Sequence, residues 1–557
     1  MRVISTLIVL ACGLSAQSPS KDETLRAMRK AADFYRHKVS TEGGYHYYYT
    51  ADLSYGRSEA AEGPTQVEVQ REATPAVAFA YLDAYGMTGD RAYLEFARAA
   101  AHALTRGQLC SGGWDYLIEF DPAKRKQYQY RADDNCGSDK RGVTNLDDNV
   151  TQAAVRVLMR VDREMNFSDS AIHEAARFAL GRLVAAQYPI GAWPQRFKAL
   201  PDFSKFPVKP AGYPESWSRK WPGPDYQSHY TFNDNTIADA IDMLLEAARI
   251  YKDPQYLAAA EKAGQFILLA QMPDPQPAWA QQYDADMHPA WARVFEPPSV
   301  TGGESHSVMR ILMTLYRETG NRKYLEPIPR ALAYFKRSLV PRGDAEIFRR
   351  IPEGPVLARF YELRTNKPLY ITKGSRLNVA GLGSRMVDGY EISYSPESVI
   401  THYNVLTSGR WVAEVEEDYR QLSAMDPITI RRPDKLRGLS PWSERRINER
   451  AVSGAEVKQL IDSMDERGAW TKMGTIGRAD RLVFAYAARD MVLRIGRGNA
   501  DGSAGGSLRS QGQLISLQEN DTVEIFQGAQ PVPERIISSA DFARNLTRMG
   551  EYVASGK

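Results

Sequence analysis

Apolar residues recur along most of the chain at the spacing of one helix face. In residues 235–250 the apolar side chains stand three or four positions apart, at Ile237, Ile241, Leu244, Leu245 and Ala248. Two earlier segments share this spacing, with Ala154, Leu158 and Val161 in the first and Ile172, Ala176, Leu180 and Leu183 in the second. A period near 3.6 residues is typical of amphipathic helices. The pattern therefore predicts a mainly helical protein.

Two kinds of internal repeat accompany the helical pattern. An aromatic residue follows a turn containing Gly or Pro at Tyr45, Trp114, Trp193 and Trp279, at intervals of 69, 79 and 86 residues. The second repeat is a polar residue that opens a helical run containing Tyr-Leu. The polar residues are Asp90, Asp253 and Asn321. Asp and Asn are favoured residues at helix N-termini. Each repeat therefore predicts a pair of helices followed by a longer loop.

Helix pairs of this size cannot bury their apolar faces alone, so they must stack on one another. Stacking can close into an α/α toroid or stay an open solenoid. We expect the toroid, because aromatic loops gathered at one mouth make a carbohydrate site. The repeat fades near residue 400. We therefore predict a toroid over residues 17–400 and a mostly helical C-terminal extension packed on it over residues 401–557.

The N-terminus has the pattern of an export signal. Arg2 precedes an apolar run that ends at Leu14, and small residues follow it, so residues 1–16 are expected to be removed. Cys12 offers a second interpretation, lipoprotein anchoring. No apolar run is long enough to span a bilayer. A secreted or periplasmic protein is expected, and there Cys110 and Cys136 either pair or stay free thiols.

Charge narrows the class of ligand. The chain has 71 basic and 68 acidic residues and a net charge of +3, with 43% hydrophobic and 25% charged residues. This is the profile of a soluble globular protein, and the balance is too even to indicate a nucleic-acid partner. A local basic site for an acidic substrate is compatible with it, because the field inside a cleft depends on nearby charges.

Acidic residues stand at the start of two predicted helices. Asp148 precedes the run beginning at Val150, and Asp234 precedes the run beginning at Thr236. Either residue can be an ordinary N-cap. If the loops of a toroid bring the two together, their carboxylate oxygens can instead hold calcium, together with a carboxylate of the substrate. Farther along, Arg293 and Arg359 lie in aromatic and acidic surroundings, where an isolated arginine is more often a paired surface residue.

Several short blocks, in order, resemble the family-ten polysaccharide lyases, which are pectate lyases of α/α-toroid type. The blocks are Asp148-Asn149, residues 187–189 with 193–195, residues 231–235, residues 279–281 with Asp284, residues 292–293 with 296–299, Glu304-Ser305 and residues 358–362. They lie within residues 100–375. Each block is weak alone, and their order and spacing make the resemblance specific.

The resemblance implies β-elimination on a uronate polysaccharide such as polygalacturonate. Asp148 and Asp234 would be Ca²⁺ ligands, and Arg293 and Arg359 would hold uronate carboxylates. Cation and guanidinium groups on the carboxylate would stabilise the enolate-like transition state formed when the neighbouring C–H is deprotonated. Arginine suits this because its planar fork matches a carboxylate.

Aromatic loop residues would provide flat faces for sugar rings, and Trp193 and Trp279 are the candidates. The family's proton-abstracting base is an arginine, and the matching position here is Lys373, with Arg376 three residues on. A lysine base is chemically easier, because burial beside other cations lowers an ammonium pKa. Lys373 and Arg376 are therefore alternative candidates for the base.

Two other functions are compatible with these residues. The missing arginine and Cys12 fit a non-catalytic glycan-binding protein on the same scaffold. A hydrolase of uronate oligosaccharides would need an acid residue to protonate the substrate or activate water, and Asp148 or Asp234 could serve. In each case the expected partner is an anionic polysaccharide, and we expect a monomer.

Overall fold

The computed structural model describes most of the chain from residue 18 to residue 556. The ranges left out are 138, 224, 374–389, 398, 401–402, 427–450, 475, 477–483, 487–490, 497–521 and 528–533. The predicted signal segment, residues 1–16, lies outside the described residues. None of the described helices combines the length and apolar character needed to cross a bilayer.

Helices are the predominant secondary structure of the described residues. They are α1 (Lys21–Phe34), α2 (Thr74–Thr88), α3 (Arg91–Arg106), α4 (Pro122–Arg125), α5 (Val150–Glu164), α6 (Ser170–Ala186), α7 (Thr236–Tyr251), α8 (Pro254–Leu269), α9 (Ser305–Thr319), α10 (Ile328–Arg337), α11 (Glu346–Arg349), α12 (Arg410–Ala424), α13 (Gly454–Asp462) and α14 (Ser539–Ala554).

Consecutive helices pair, and the pairs stack side by side. The pairs α2/α3, α5/α6 and α7/α8 each pack together, and α2, α5, α7 and α9 contact one another in series. Helices α5 and α7 are buried around most of their circumference, as expected of the inner members of a double layer. Helix α12 packs on α9 and α10. The protein is therefore an α/α toroid of stacked helix pairs, which confirms the predicted fold class.

Side-chain caps define where the outer helices begin. Asp90 accepts a hydrogen bond from the Ala92 amide at 3.0 Å, and Asp253 accepts one from the Gln255 amide at 3.2 Å. Asn321 accepts from the Lys323 amide at 3.2 Å, but it opens a 3₁₀ turn that precedes α10. The polar residues of the second repeat are thus caps, because each satisfies a free backbone N–H of a first turn.

The aromatic repeat has a structural role. Trp114, Trp193 and Trp279 are fully buried, and their indole N–H groups donate to Leu104, Leu183 and Ile267 carbonyls at 2.8, 2.7 and 2.9 Å. Each carbonyl lies near the end of the outer helix before the tryptophan. The prediction that Trp193 and Trp279 stack on sugar rings is therefore wrong, because neither ring has an exposed face.

Short antiparallel strands lie in the segments between and beyond the helices. They are β1 (Tyr48–Thr50), β2 (Gly56–Arg57), β3 (Gln66–Glu68), β4 (Leu117–Glu119), β5 (Thr144–Asn145), β6 (Arg196–Phe197), β7 (Tyr230–Thr231), β8 (Gln282–Tyr283), β9 (Val300–Thr301), β10 (Val356–Ala358), β11 (Phe360–Tyr361), β12 (Pro368–Lys373), β13 (Tyr390–Ser393), β14 (Leu406–Ser408), β15 (Thr471–Gly474), β16 (Phe484–Tyr486), β17 (Met491–Gly496), β18 (Thr522–Gln527) and β19 (Glu534–Ser538).

The pairing of these strands links successive helix pairs. Strand β5 pairs with β6, β7 with β8, and β11 with both β9 and β12, with Phe360 opposite Thr301 and Leu369. Strands β3, β5, β7 and β9 each precede an inner helix, which begins at Thr74, Val150, Thr236 or Ser305. The inner-helix N-termini and their preceding loops are therefore held at one end of the toroid.

The C-terminal part of the chain returns to the N-terminal part. Helix α14 packs against α1 and α2, and strand β19 pairs with β1 and β15. Phe542 of α14 stacks on Tyr35, with ring centroids 3.8 Å apart. Residues beyond 400 thus contribute helices to the stack, and the domain boundary near residue 400 stays a prediction.

Cys110 and Cys136 form a disulfide, with Cα atoms 5.7 Å apart. This settles the two alternatives left open by the sequence in favour of pairing. The bridge closes a loop that includes Trp114, β4 and α4 and that ends before β5.

Candidate active site

Two acidic turns of matching shape precede α5 and α7. Asp148 and Asn149 have φ values of 49° and 60°, and Asp234 and Asn235 have φ values of 47° and 63°. Asp and Asn tolerate this left-handed region better than most residues, although it still stores backbone strain. Neither helix has a side-chain capping hydrogen bond at its N-cap. The simple capping interpretation of Asp148 and Asp234 therefore does not describe them.

The two turns bring three carboxylates together. Oxygen atoms of Asp147, Asp148 and Asp234 all lie within 4.8 Å of one another. The structure thus places Asp148 and Asp234 side by side, as expected of a shared cation site. Asp147 is a third member that the sequence analysis did not single out, although the Asp147-Asp148 doublet was a visible signal.

Mutual repulsion and burial disturb the titration of this acidic cluster, which consists of Asp147, Asp148 and Asp234. Burial and the neighbouring charge of Asp148 raise the pKa of Asp147 to about 6. Burial, the two other carboxylates and Glu304 raise the pKa of Asp234 to about 7. Like charges this close oppose ionisation, so a cation that bound between these carboxylates would favour their ionised forms.

The donor atoms of the cluster fit a hard cation. Among the described residues, Oδ1 of Asp147 has no hydrogen-bond partner, and neither does either polar atom of the Asn149 side chain, although all three atoms are buried. Buried polar atoms without partners are rare and call for an explanation. Carboxylate and amide oxygens at this spacing are the ligands that calcium takes in proteins.

Polar side chains from two other segments hold Asp148. The amide of Gln70 and the hydroxyl of Tyr116 both donate to Oδ2 of Asp148 at 3.0 Å. On the opposite side, Asn233 donates to Oδ2 of Asp234 at 2.6 Å. Oδ2 of each aspartate is thus oriented by a neighbour, which is how supporting residues fix ligand geometry.

Arg293 and Arg359 flank the acidic cluster. Arg293 forms a forked pair with Glu296, at 2.9 Å from Nε and 2.6 Å from Nη2, and its Nη2 lies 4.0 Å from Asp234. Arg359 donates to Glu304 at 2.5 Å and to Asn233 at 3.3 Å. The two predicted arginines therefore converge on the turn that carries Asp234.

Burial alone would lower the pKa of both guanidinium groups, but their acidic partners outweigh it. The bond to Glu296 and its charge raise the pKa of Arg293 well above its ordinary value. The charge of Glu304 raises the pKa of Arg359 in the same way. Both groups are therefore cations at any pH at which the protein is folded, which suits the binding of a carboxylate.

Tyr403 lies between the two arginines. Its ring centroid is 5.2 Å from the guanidinium carbon of Arg293 and 4.2 Å from that of Arg359, and its hydroxyl donates to Glu296 at 2.6 Å. The residue is partly buried against the core, and desolvation raises the pKa of Tyr403 well above its ordinary value. The sequence analysis missed it, because it stands beyond the region where the repeat fades.

The two candidate bases lie at the edge of what the structure describes. Lys373 ends strand β12, where its backbone pairs with Tyr390, but its side chain is outside the described part. Arg376 falls within residues 374–389, which are also outside it. The assignment of the base to Lys373 or Arg376 therefore stays a prediction.

Comparison with known proteins identifies the family. The pectic acid lyase family matches residues 108–391, which is half of the chain. A search of curated proteins found no match.

Solved structures with a similar fold include a family 10 polysaccharide lyase from Cellvibrio cellulosa. It is 19% identical, with a TM-score of 0.41, and the alignment covers 63% of this chain and 98% of that one. A mutant of that lyase in complex with trigalacturonic acid is 19% identical, with a TM-score of 0.40 and coverages of 61% and 98%. The cellobiose 2-epimerase of Spirochaeta thermophila is 15% identical, with a TM-score of 0.35 and coverages of 57% and 69%. Similarity at this level says nothing about the activity of this chain.

The family match spans the acidic cluster and both arginines, and it ends just before the C-terminal segment that supplies Tyr403. Gln70, which holds Asp148, also stands outside it. The chain belongs to the pectic acid lyase family and is a polysaccharide lyase.

Proposed function

We propose that the protein cleaves polygalacturonate or a related uronate polysaccharide by calcium-assisted β-elimination. The observation that carries the proposal is the juxtaposition of the acidic cluster with two guanidinium groups, Arg293 Nη2 lying 4.0 Å from Asp234. Alternating negative and positive groups of this kind match a uronate carboxylate bridged to a divalent cation. An uncharged polysaccharide would offer no carboxylate to bind the cation and the two arginines.

Asp147, Asp148 and Asp234 would hold the cation, with Gln70 and Tyr116 orienting the carboxylate of Asp148 through its Oδ2. Bound calcium would supply a Lewis acid that withdraws charge from the substrate carboxylate. Because burial and repulsion raise the pKa of Asp147 and Asp234, their ionisation and cation binding favour each other.

Arg293 and Arg359 would bind the substrate carboxylate. Arg293 donates to Glu296 from Nε and Nη2. Arg359 donates to Gln281 from Nε and to Glu304 from Nη2. These bonds fix each guanidinium plane and do not use Nη1. Preorganised cations aimed at a carboxylate stabilise the negative charge that builds up when the adjacent proton leaves. Since both groups are held protonated, the proton acceptor is a different residue, and we assign it to Lys373 or Arg376.

The test is a panel of uronate polymers incubated with and without calcium. β-Elimination creates a C=C bond conjugated with the carboxyl group, so the product absorbs in the ultraviolet, whereas hydrolysis creates no double bond. We expect absorbance to rise on at least one uronate polymer, and a chelator to abolish the rise. If the folded protein with calcium gave no absorbance on any uronate polymer, the proposal would be wrong.

Export is part of the proposal, since polysaccharides of this kind are met outside the cell. The apolar segment at residues 3–14 and the disulfide Cys110–Cys136 both favour it. Mass spectrometry of protein recovered from the producing cells would show cleavage after residue 16, or a lipid-modified Cys12. A full-length N-terminus on the folded protein would contradict both.

A further inference from the structure

An anchored loop lies next to the proposed carboxylate clamp. Residues 212–223, called here the 212–223 loop, are tied down beside Arg293 by two tryptophans. The indole N–H of Trp221 donates to the Ala292 carbonyl at 2.8 Å, and that of Trp291 donates to the Ser218 carbonyl at 2.7 Å. The loop is therefore positioned by the same backbone that carries Arg293.

A third anchor links this loop to the strand that carries Arg359. Arg364 donates to the Pro214 carbonyl at 3.0 Å, and Arg219 forms an ion pair with Glu362, three residues after Arg359. The loop thus spans the two backbone segments that carry Arg293 and Arg359. The loop is thus anchored on the same side of the protein as the proposed carboxylate clamp.

The group that it presents is an arginine stacked between two aromatic rings. The guanidinium carbon of Arg219 lies 5.1 Å from the ring centroid of Trp217 and 5.2 Å from that of Tyr394. The Arg219 side chain is 48% exposed, and the whole of Tyr394 is 48% exposed. Trp217 is partly buried, so the exposed ring is that of Tyr394. An exposed aromatic ring beside a cation offers an apolar face to sugar C–H groups next to a partner for a carboxylate.

The ion pair orients Arg219 without exhausting it. Within the described structure, its hydrogen bonds to Glu362 and to the Tyr394 hydroxyl both leave from Nη2, so the N–H groups of Nε and Nη1 are not used in them. Glu362 is itself only 8% exposed and also accepts a hydrogen bond from Thr365. The acidic partner is thus turned inward and the cation outward.

Neighbouring charges add to the positive field. Lys220 and Lys367 are exposed, and the ammonium group of Lys367 lies 5.3 Å from the centroid of the Tyr394 ring. Glu215 is the exposed acid of the same loop. The exposed cations outnumber the exposed acids here, which favours an anionic ligand.

We propose that Trp217, Arg219 and Tyr394 form a subsite for a second uronosyl residue of the polysaccharide, beside the one bound by Arg293 and Arg359. Arg219 pairs with its carboxylate, and the aromatic faces contact its ring. This inference rests on the proposed function and adds to it. The subsite binds a charged sugar that is not cleaved, so its loss weakens binding more than it slows the chemical step.

The experiment compares Arg219→Gln with the unaltered protein on two polymers, polygalacturonate and its highly methyl-esterified form. Binding is measured by gel retardation in buffer with chelator, and KM and kcat are measured with calcium. We expect about tenfold weaker binding and an about tenfold higher KM on polygalacturonate, with kcat little changed. On the esterified polymer, which lacks the carboxylates, the two proteins should bind equally.

Two further variants keep the test decisive. Arg219→Lys keeps the positive charge and loses the planar guanidinium. Its affinity for polygalacturonate should therefore lie between those of the unaltered protein and Arg219→Gln. The control variant is Arg330→Gln, which removes an arginine of α10 that forms an exposed ion pair with Asp274. It should bind polygalacturonate like the unaltered protein. Binding and KM unchanged in Arg219→Gln would overturn the subsite alone, and an equal loss on both polymers would also overturn it. If the unaltered protein neither bound nor cleaved polygalacturonate, the proposed function would fail together with the subsite.

Discussion

Asp148 and Asp234 occupy equivalent places in two successive helix pairs. Each has a left-handed backbone, with φ of 49° and 47°, each is followed by a left-handed asparagine, and each precedes an inner helix by two residues. The repeated turn directs both side chains to the same end of the toroid. Because the inner helices α5 and α7 pack directly on each other, two equivalent turns place their carboxylates side by side. The acidic cluster is therefore a product of the internal repeat.

Replacing Asp234 by Asn should have opposite effects with and without calcium. Without the metal, the variant should melt at a higher temperature, because one of three mutually repelling carboxylates is gone. With calcium, the unaltered protein should gain stability and the variant should gain little, since stabilisation follows the affinity of the site. Activity on a uronate polymer should fall about 100-fold or more. Melting curves at several calcium concentrations and initial rates measure these effects.

The matched control for this experiment is Glu346→Gln, which neutralises an exposed carboxylate outside the cluster. It should leave both the calcium response and the rate unchanged. An Asp234→Asn protein whose melting temperature rose with calcium as much as that of the unaltered protein would exclude Asp234 as a ligand.

Lysine at position 359 should be a poor substitute for arginine. Arg359 donates to Glu304, Asn233 and Gln281 at 2.5, 3.3 and 3.2 Å, and one ammonium group cannot reproduce this planar set. We expect kcat/KM on polygalacturonate to fall about 100-fold in Arg359→Lys. Arg330→Lys, at an exposed pair, should have no effect. Full activity in Arg359→Lys would remove this residue from the carboxylate clamp.

The aromatic ring of Tyr403 should contribute more to activity than its hydroxyl group. Tyr403→Phe keeps the aromatic face beside Arg293 and Arg359. It loses the hydrogen bond to Glu296, which Arg293 still pairs, and a longer one from the Gln281 amide at 3.3 Å. We expect a loss of activity of tenfold at most, about the value of one hydrogen bond. Tyr403→Ala removes the ring that packs against both guanidinium groups, so its loss should be clearly larger. Equal losses in the two variants would contradict this ranking.

The helices, their caps and the charged residues that converge at the site could be predicted from the sequence. Helical periodicity is local, so Asp90 and Asp253 were identified as caps, and the repeat implied that Asp148 and Asp234 would share one end of the fold. The partners of the arginines were not predictable in the same way. Tyr403 joins the site from a segment far along the chain, and no local pattern shows that its ring meets Arg293 and Arg359.

The tryptophan repeat shows why periodic aromatic residues alone do not identify sugar-binding surfaces. The regular spacing of Trp193 and Trp279 predicts sugar-binding loops, but each indole donates to a carbonyl near the end of an outer helix. At Trp193, the glycine two residues earlier is also needed for packing. At Gly191, with φ of 108°, a side chain would meet the Lys262 carbonyl at 2.1 Å. Gly191 and Trp193 are therefore required by tight packing, which the sequence does not display.

Removing the disulfide should destabilise the protein without altering the site directly. Cys110 and Cys136 are 26 residues apart, and closing a loop of this size contributes about 3 kcal/mol in the chain-entropy description. The double variant with alanine at both positions should therefore unfold at lower denaturant concentration, with kcat little changed under conditions where it is folded. Denaturation of the oxidised protein, the reduced protein and the variant provides the comparison. If the oxidised protein and the variant had the same midpoint, the disulfide would contribute nothing to stability.

A buried carboxyl far from solvent should make stability depend on pH. Glu68 is fully buried; its Oε2 accepts hydrogen bonds from the Ala60 and Ala61 amides at 3.0 and 2.9 Å, and its Oε1 has no partner among the described residues. Burial raises the pKa of Glu68 to about 8, although the two amide bonds oppose the shift. The folded state thus keeps a proton that the unfolded chain releases above its ordinary pKa of about 4.5. Stability from this group is complete below that value and is lost as the pH rises toward 8.

Glu68→Gln should remove this dependence, because an amide keeps an oxygen acceptor for the same backbone N–H groups and does not ionise. Relative to the unaltered protein, the free energy of unfolding of the variant should rise with pH by up to about 1.4 kcal/mol for each pH unit between about 4.5 and 8. Urea titrations at pH 5, 6, 7 and 8 measure the difference. Glu62→Gln, at an exposed carboxyl of the same segment, is the control and should show no such trend. A difference between Glu68→Gln and the unaltered protein that stayed constant from pH 5 to pH 8 would show that Glu68 is already ionised in the folded protein.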